Sequence, residues 1–99
     1  MREFNYVAEN EKKVMIDGHV YPLKPGSLGL IDKMLDVKSA AESSDQIAML
    51  KAEYSAVTAM LGGETTEIVL GSESECDLRK LEALFEFVAQ EYKANESAD

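Results

Sequence analysis

The chain has one cysteine, Cys76, one histidine, His19, and no tryptophan among its 99 residues. A single cysteine excludes an internal disulfide and a metal cluster held by cysteines. No apolar run approaches the ~20 residues that a membrane-spanning helix needs, so we expect no membrane contact. Residues 1–5 lack the apolar segment and the small-residue cleavage site of a signal peptide. We therefore expect a cytoplasmic protein.

Basic residues are also scarce. Lys and Arg number 10 against 19 Asp and Glu, which gives a net charge of −9. The basic and acidic side chains of residues 1–40 balance to zero net charge, so the whole acidic excess lies in residues 41–99. No basic stripe is present that could neutralise phosphates, so we expect no nucleic-acid binding. The acidic half is either a solubilising surface or a face that attracts a basic partner.

Signals of catalysis are equally sparse. His19 lies beside a predicted turn, which indicates a surface strand residue, and Cys76 is flanked by Glu73, Glu75 and Asp77, whose charges oppose a thiolate. No glycine-rich segment carries the lysine of a nucleotide site, and no acidic segment has the spacing of a calcium loop. The sequence therefore predicts a non-enzymatic protein, with no catalytic, cofactor-binding or metal-binding residue.

A β-hairpin is the clearest local feature that the sequence does contain. Short runs of β-branched and aromatic residues flank Asp17-Gly18, a dipeptide that readily adopts the positive φ angles of a two-residue turn. Strands are predicted at about 13–16 and 19–23. Alternating apolar residues predict an earlier strand at about 2–8, which would make the sheet a three-stranded meander.

Pairing across this turn places Ile16 opposite His19 and Val14 opposite Tyr21. One face of the hairpin is then apolar, and its side chains are Val14, Ile16, Tyr21 and Leu23. An isolated hairpin is at best marginal in water, so the helices must cover this face.

The first helix is predicted at 27–38, with Ser27 as its N-cap. Apolar side chains fill about half of its circumference, which favours a helix buried between two layers and lying over the hairpin. These residues are Leu28, Leu30, Ile31, Met34, Leu35 and Val37. The small residues that follow, 39–44, are interpreted as a linker.

The second helix is predicted at 45–61, from an N-cap at Asp45 to the glycine pair that follows Leu61. An alanine flank on this helix permits close packing; its members are Ala48, Ala52, Ala56 and Ala59. Met49 and Met60 lie on the opposite flank of this helix, beside its main row of apolar side chains.

Residues 64–71 are ambiguous, because their β-branched content favours a strand and their short, glycine-bracketed length also allows a helical turn. The last helix is predicted at 73–93, since Ser72 and Glu75 fit a capping box. Residues 94–99 are interpreted as a frayed acidic tail.

These elements predict one α+β domain over residues 1–99, with an N-terminal antiparallel hairpin or meander packed on about three helices. Beside its main row of apolar side chains, the predicted last helix carries a second apolar stripe that includes Leu84 and Phe87. This stripe and the methionine flank either belong to the core or form a patch for a protein partner. The candidate partner-binding residues are therefore Met49, Met60, Leu84 and Phe87.

The order of these features resembles a known family. A hairpin with Ile16-Asp17-Gly18 and Tyr21-Pro22-Leu23 leads into the first helix. The second helix ends in Leu61-Gly62-Gly63-Glu64, and the last carries Leu84-Phe85-Glu86-Phe87-Val88 before an acidic end. Over residues 13–93 this is similar to the small tail assembly chaperones of long-tailed bacteriophages and of prophages in Gram-positive bacteria.

The resemblance implies a cytoplasmic protein of the bacterial host that acts during virion assembly. Such chaperones coat the long, helical tape-measure protein, keep it soluble and bring tail-tube subunits to it, and many are also made in a longer, frameshifted form. The resemblance transfers no catalytic residue. A homo-oligomer stays open, and two other functions are kept as alternatives. One is an acidic mimic of nucleic acid or an inhibitor that binds a basic host protein, which the net charge of −9 suggests, and the other is a structural tail or head-completion protein.

Overall fold

The computed structural model describes residues 2–4 and 12–96. Within them an antiparallel two-stranded sheet, β1 (Lys13–Ile16) and β2 (His19–Pro22), precedes four helices. The helices are α1 (Leu28–Glu42), α2 (Gln46–Leu61), α3 (Gly63–Leu70) and α4 (Leu78–Glu96). The predicted α+β class is confirmed, with four helices instead of about three. The predicted strand at 2–8 falls mainly on residues outside the described ones, and residues 2–4 form no strand.

The hairpin matches its prediction. Asp17 and Gly18 have φ angles of 51° and 83°, as a two-residue turn with two left-handed positions requires. Ile16 pairs with His19 and Val14 with Tyr21. Among the side chains of the predicted apolar face, Val14, Ile16 and Leu23 are buried and Tyr21 is half-buried.

The first two helices form an antiparallel pair joined by a turn at residues 43–45. The Ser27 hydroxyl caps α1 by accepting from the Leu30 amide at 3.1 Å, and the Asp45 carboxylate caps α2 by accepting from the Ala48 amide at 3.0 Å. α1 continues to Glu42, four residues beyond its predicted end. The interpretation of residues 39–42 as linker is therefore wrong, because alanine at positions 40 and 41 has the strongest helix propensity of any residue.

The ambiguous segment 64–71 is helical. Thr66 is fully buried in α3 and its hydroxyl donates to the Gly62 carbonyl at 2.8 Å, so its β-branched side chain packs within a helix instead of a strand. The Tyr54 hydroxyl on α2 donates to the Gly71 carbonyl at 2.8 Å and fixes the end of α3.

The predicted start of the last helix at 73 is wrong. The carbonyl of Ser72 accepts from the Glu75 and Cys76 amides at 3.1 and 2.9 Å, which forms a turn and not a capping box. Asp77 caps α4 instead, since its carboxylate accepts from the Arg79 amide at 2.9 Å. At the other end, residues 94–96 are helical and not frayed, and residues 97–99 lie outside the described residues.

The hairpin lies along α4. At the turn of the hairpin, the Lys80 ammonium bonds the Asp17 carboxylate at 2.9 Å. At the other end of β1, the Lys12 ammonium donates to the Glu91 carbonyl at 3.0 Å. β1 therefore runs opposite in direction to α4. The expectation that the first helix covers the hairpin is wrong, because α4 lies there instead and Leu30 is the single buried residue of α1.

Candidate partner-binding groove

The structure separates the four predicted partner-binding residues. Met60 and Leu84 are core side chains, so the prediction of an open surface at these two positions is wrong. Leu84 lies under the hairpin, because Lys80 and Glu91 on the same face of α4 both bond to it. Met49 is half-buried in a shallow depression between the end of α1 and the start of α2, and Phe87 is 45% exposed on α4. The two lie in different depressions and form no common site.

A predominantly apolar depression lies elsewhere, between α1 and α4. It has a volume of about 660 Å³ and is hereafter called the groove. α1 and α4 flank α2, so the two outer helices form the walls and Met60 of α2 lies at the floor. The α1 wall carries Leu28, Leu30, Ile31, Met34 and Leu35, and the α4 wall carries Ala89 and Tyr92.

The apolar lining of the α1 wall is open to solvent. Leu28, Ile31 and Leu35 are 81%, 54% and 55% exposed. Their spacing of three and four residues places them along one stripe of the helix. Three large aliphatic side chains on one stripe of a helix form an exposed apolar patch, and such patches can mark sites where another molecule binds.

The packing of α1 on α2 explains why the groove forms. α1 packs most extensively against α2. α1 is thereby held against one side of α2 while α4 packs on another, and α2 separates them. The prediction that the first helix is buried between two layers is therefore wrong, because part of its apolar arc faces the open groove.

Hydrogen bonds from the segment before α1 hold the end of the groove at which Met60 and Tyr92 lie. The Lys24 amide donates to the Met60 carbonyl at 2.8 Å, and the Tyr92 hydroxyl donates to the Lys24 carbonyl. Burial raises the pKa of Tyr92, so its phenol stays protonated and keeps donating. These bonds tie the ends of α2 and α4 to the chain that enters α1.

A buried carboxylate, Glu53, lies on α2 two helical turns before Met60 of the groove floor. Glu53 is 6% exposed, and its Oε1 atom has no hydrogen-bond partner. Burial raises the pKa of Glu53, and the charges of Glu82 and Glu86 on α4 raise it further. We call these three residues the carboxylate cluster. Nothing in the sequence pattern indicates this cluster, because Glu53 has the spacing of an ordinary polar residue of an amphipathic helix.

His19 and Cys76, the two residues considered for catalysis, do not line the groove. His19 is exposed on β2, as predicted for a surface strand residue. Cys76 is half-buried in the turn before α4, and its thiol lies 3.6 Å from the Glu73 carbonyl. Residues 2–4 and 12–96 contain no group of three His, Cys, Asp or Glu side chains that could hold a metal ion. In the same ranges, no helix combines the length and the apolar character needed to cross a membrane.

The chain matches no protein-family model, and no curated protein and no solved structure is significantly similar to it.

Proposed function

We propose that this chain is a tail assembly chaperone of a phage or prophage, a non-enzymatic protein that acts in the cytoplasm of the bacterial host. It binds and solubilises the tape-measure protein and recruits tail-tube subunits. The resemblance over residues 13–93 supports the family. The open apolar groove beside an acidic cluster supports a task of holding another protein.

The observation that carries the proposal is the exposed stripe of Leu28, Ile31 and Leu35 on the groove wall. A tape-measure protein is long and helical, and a helix presents apolar side chains in the same spacing of three and four residues. A groove between two helices is a common receptor for such a stripe. The net charge of −9 keeps the complex dispersed while the apolar surfaces are in contact.

Co-expression with the long coiled-coil gene product of the same prophage tests the proposal. The expected result is that the tape-measure protein moves from the insoluble to the soluble fraction and co-purifies with this chain. Unchanged solubility together with no co-purification would refute the proposal. The nucleotide sequence offers an independent check, since a slippery run near the 3′ end followed by a long coiled-coil frame is expected.

The distribution of charge favours a second candidate, an acidic mimic of nucleic acid that inhibits a basic host protein. Residues 41–99 carry thirteen acidic and four basic residues. This candidate predicts that the chain competes with DNA for a host nucleic-acid-binding protein. If a pull-down from host lysate returned no nucleic-acid-binding protein, this second candidate function would be refuted.

A structural tail or head-completion protein would remain in the particle, whereas a chaperone leaves. Mass spectrometry of purified virions separates the two roles, and we expect this chain to be missing from them.

A further inference from the structure

The floor of the groove leads to a buried carboxylate. Glu53 precedes Met60 by seven residues on α2, and residues seven apart on a helix share a face, about 10 Å apart along the axis. Glu53 therefore lies on the same side of α2 as the groove floor, two turns away from Met60. Its Oε1 atom is buried and has no hydrogen-bond partner.

The α4 wall changes from apolar to acidic at the same level. Glu86 precedes the groove residue Ala89 by three positions and Glu82 precedes Glu86 by four, so all three lie along one side of α4. Among the described residues, the ion pairs join Lys12 to Glu91 and Lys80 to Asp17, and the carboxylate cluster has no part in them.

The α1 wall adds no net charge opposite the cluster. Beyond Leu35, the same side of α1 continues with Lys38 and Glu42, which have opposite signs. The potential at this end of the groove is therefore negative, and it comes from α2 and α4.

We propose that the groove binds an amphipathic helix of a partner protein, with the apolar side chains of that helix against Leu28, Ile31 and Leu35 and one of its lysines or arginines paired with Glu53. The inference rests on the proposed chaperone function and extends it, because it names where the helical client docks and which charge the client carries.

A cationic side chain is the partner that Glu53 lacks. A buried carboxylate without a partner is unfavourable, whereas a charge-assisted hydrogen bond to an ammonium or guanidinium group satisfies it. Glu82 and Glu86 attract the same cation from the α4 wall. A second copy of this chain fits less well, because its own carboxylate cluster and its charge of −9 would repel those of the first copy.

Binding of designed peptides to the full chain tests the inference. The probe is a fluorescent peptide of about 18 residues, or five helical turns, with leucine at positions i, i+3, i+4 and i+7 and lysine elsewhere. One control peptide replaces every lysine by glutamate, and another scrambles the leucine spacing at constant composition. Fluorescence anisotropy should give a Kd for the probe that is at least about tenfold lower than for either control.

Four variants of the chain assign that binding to the groove. Ile31→Asp should weaken the probe about tenfold, and Glu53→Gln about fivefold, because each removes one half of the recognition. Two matched controls make the same changes elsewhere. Ile68→Asp acts on an exposed isoleucine of α3 and Glu75→Gln on a carboxylate in the turn before α4, so both should stay within about twofold of the parent. Circular dichroism verifies that all four variants fold.

The inference is overturned if the scrambled peptide binds as well as the probe, or if Glu53→Gln and Glu75→Gln weaken it equally, because either result means attraction by net charge alone. A parent dimer that Ile31→Asp dissociates in sedimentation would make a second copy the occupant. If the parent solubilises the tape-measure protein and Ile31→Asp does so equally, the groove is refuted and the chaperone function stands. If the parent has no effect on it, the function is refuted whatever the peptides do.

Discussion

The helical layer has one side that faces the hairpin and one side that faces the groove. The two sides differ in how far their apolar side chains are covered. On the first, Val14, Ile16 and Leu23 from the hairpin close over α2 and α4, and the side chains beneath are buried. On the second, α1 contributes Leu30 to the core and leaves a stripe of aliphatic side chains in solvent. One helical layer thus has a closed side and an open side.

The difference shows that this small chain does not bury all of its apolar residues in its core. A chain of 99 residues can bury one modest core. Here that core includes residues from β1 and all four helices. The apolar surface that remains on α1 belongs to no second core, and this is what makes it available to a partner.

The largest effect should come from removing a side chain on the closed side. Leu84→Ala should lower the free energy of unfolding by about 3 kcal/mol, because it leaves a cavity beneath the hairpin. Phe87→Ala is the matched control on the same helix and should cost less than about 1 kcal/mol, since Phe87 is half exposed. Urea unfolding measures both, and equal losses would contradict the assignment of Leu84 to the core.

The hairpin turn should be the next most sensitive feature. Gly18 has a φ of 83°, so Gly18→Val should destabilise the fold by about 2 kcal/mol through backbone strain. Gly26→Ala is the control, because Gly26 has no positive φ and a Cβ there would contact nothing within 4 Å. If the two changes lowered the thermal unfolding temperature equally, the left-handed backbone conformation described for Gly18 would be contradicted.

A smaller change of opposite sign is expected at the carboxylate cluster. Glu53→Gln should raise the stability of the free chain at neutral pH by about 1 kcal/mol, because a neutral amide replaces a carboxyl whose ionisation is unfavourable when buried. The same variant should bind the cationic helix more weakly. Stability that falls together with affinity would indicate that Glu53 has a favourable partner within the chain.

The pH dependence follows from the direction of the pKa shift. The pKa of Glu53 is raised above its ordinary value of 4.5, first by burial and then by Glu82 and Glu86. Between 4.5 and the raised pKa the folded chain therefore holds a proton that the unfolded chain releases, and stability falls as pH rises through this window. Subtracting the profile of Glu53→Gln from that of the parent isolates this slope. A difference that does not vary with pH would contradict the burial of this carboxyl.

The smallest effect on stability should come from the open side. Ile31→Ala should change the free energy of unfolding by less than about 0.5 kcal/mol, because the side chain is half exposed before a partner binds. The same variant should weaken the Leu/Lys peptide several-fold. A large loss of stability would place Ile31 in the core and close the groove.

The sequence predicted the elements where short-range chemistry decides them. Asp17-Gly18 determined the hairpin and its register, and Asp45 marked the start of α2. The predicted start of α4 was wrong because Ser72 and Glu75 have the spacing of a capping box, whereas the three-dimensional course of the turn makes Asp77 the cap.

The site was less predictable, because helical periodicity identifies apolar faces without saying what covers them. Met60 and Leu84 were as apolar as an open patch requires, yet α1, α4 and the hairpin enclose them. Leu28, Ile31 and Leu35 had the pattern of a buried helix, yet no described element covers them. Glu53 gained its unusual environment from Glu82 and Glu86, which lie about thirty residues away in sequence.

Amide hydrogen exchange with and without the Leu/Lys peptide distinguishes the two sides of the helical layer as docking surfaces. We expect slower exchange in residues 28–38 of α1 and 82–92 of α4 when the peptide is bound, with β1, β2 and α3 unchanged. Protection of the hairpin strands, with α1 exchanging as before, would mean that the partner docks on the closed side and would refute binding in the groove.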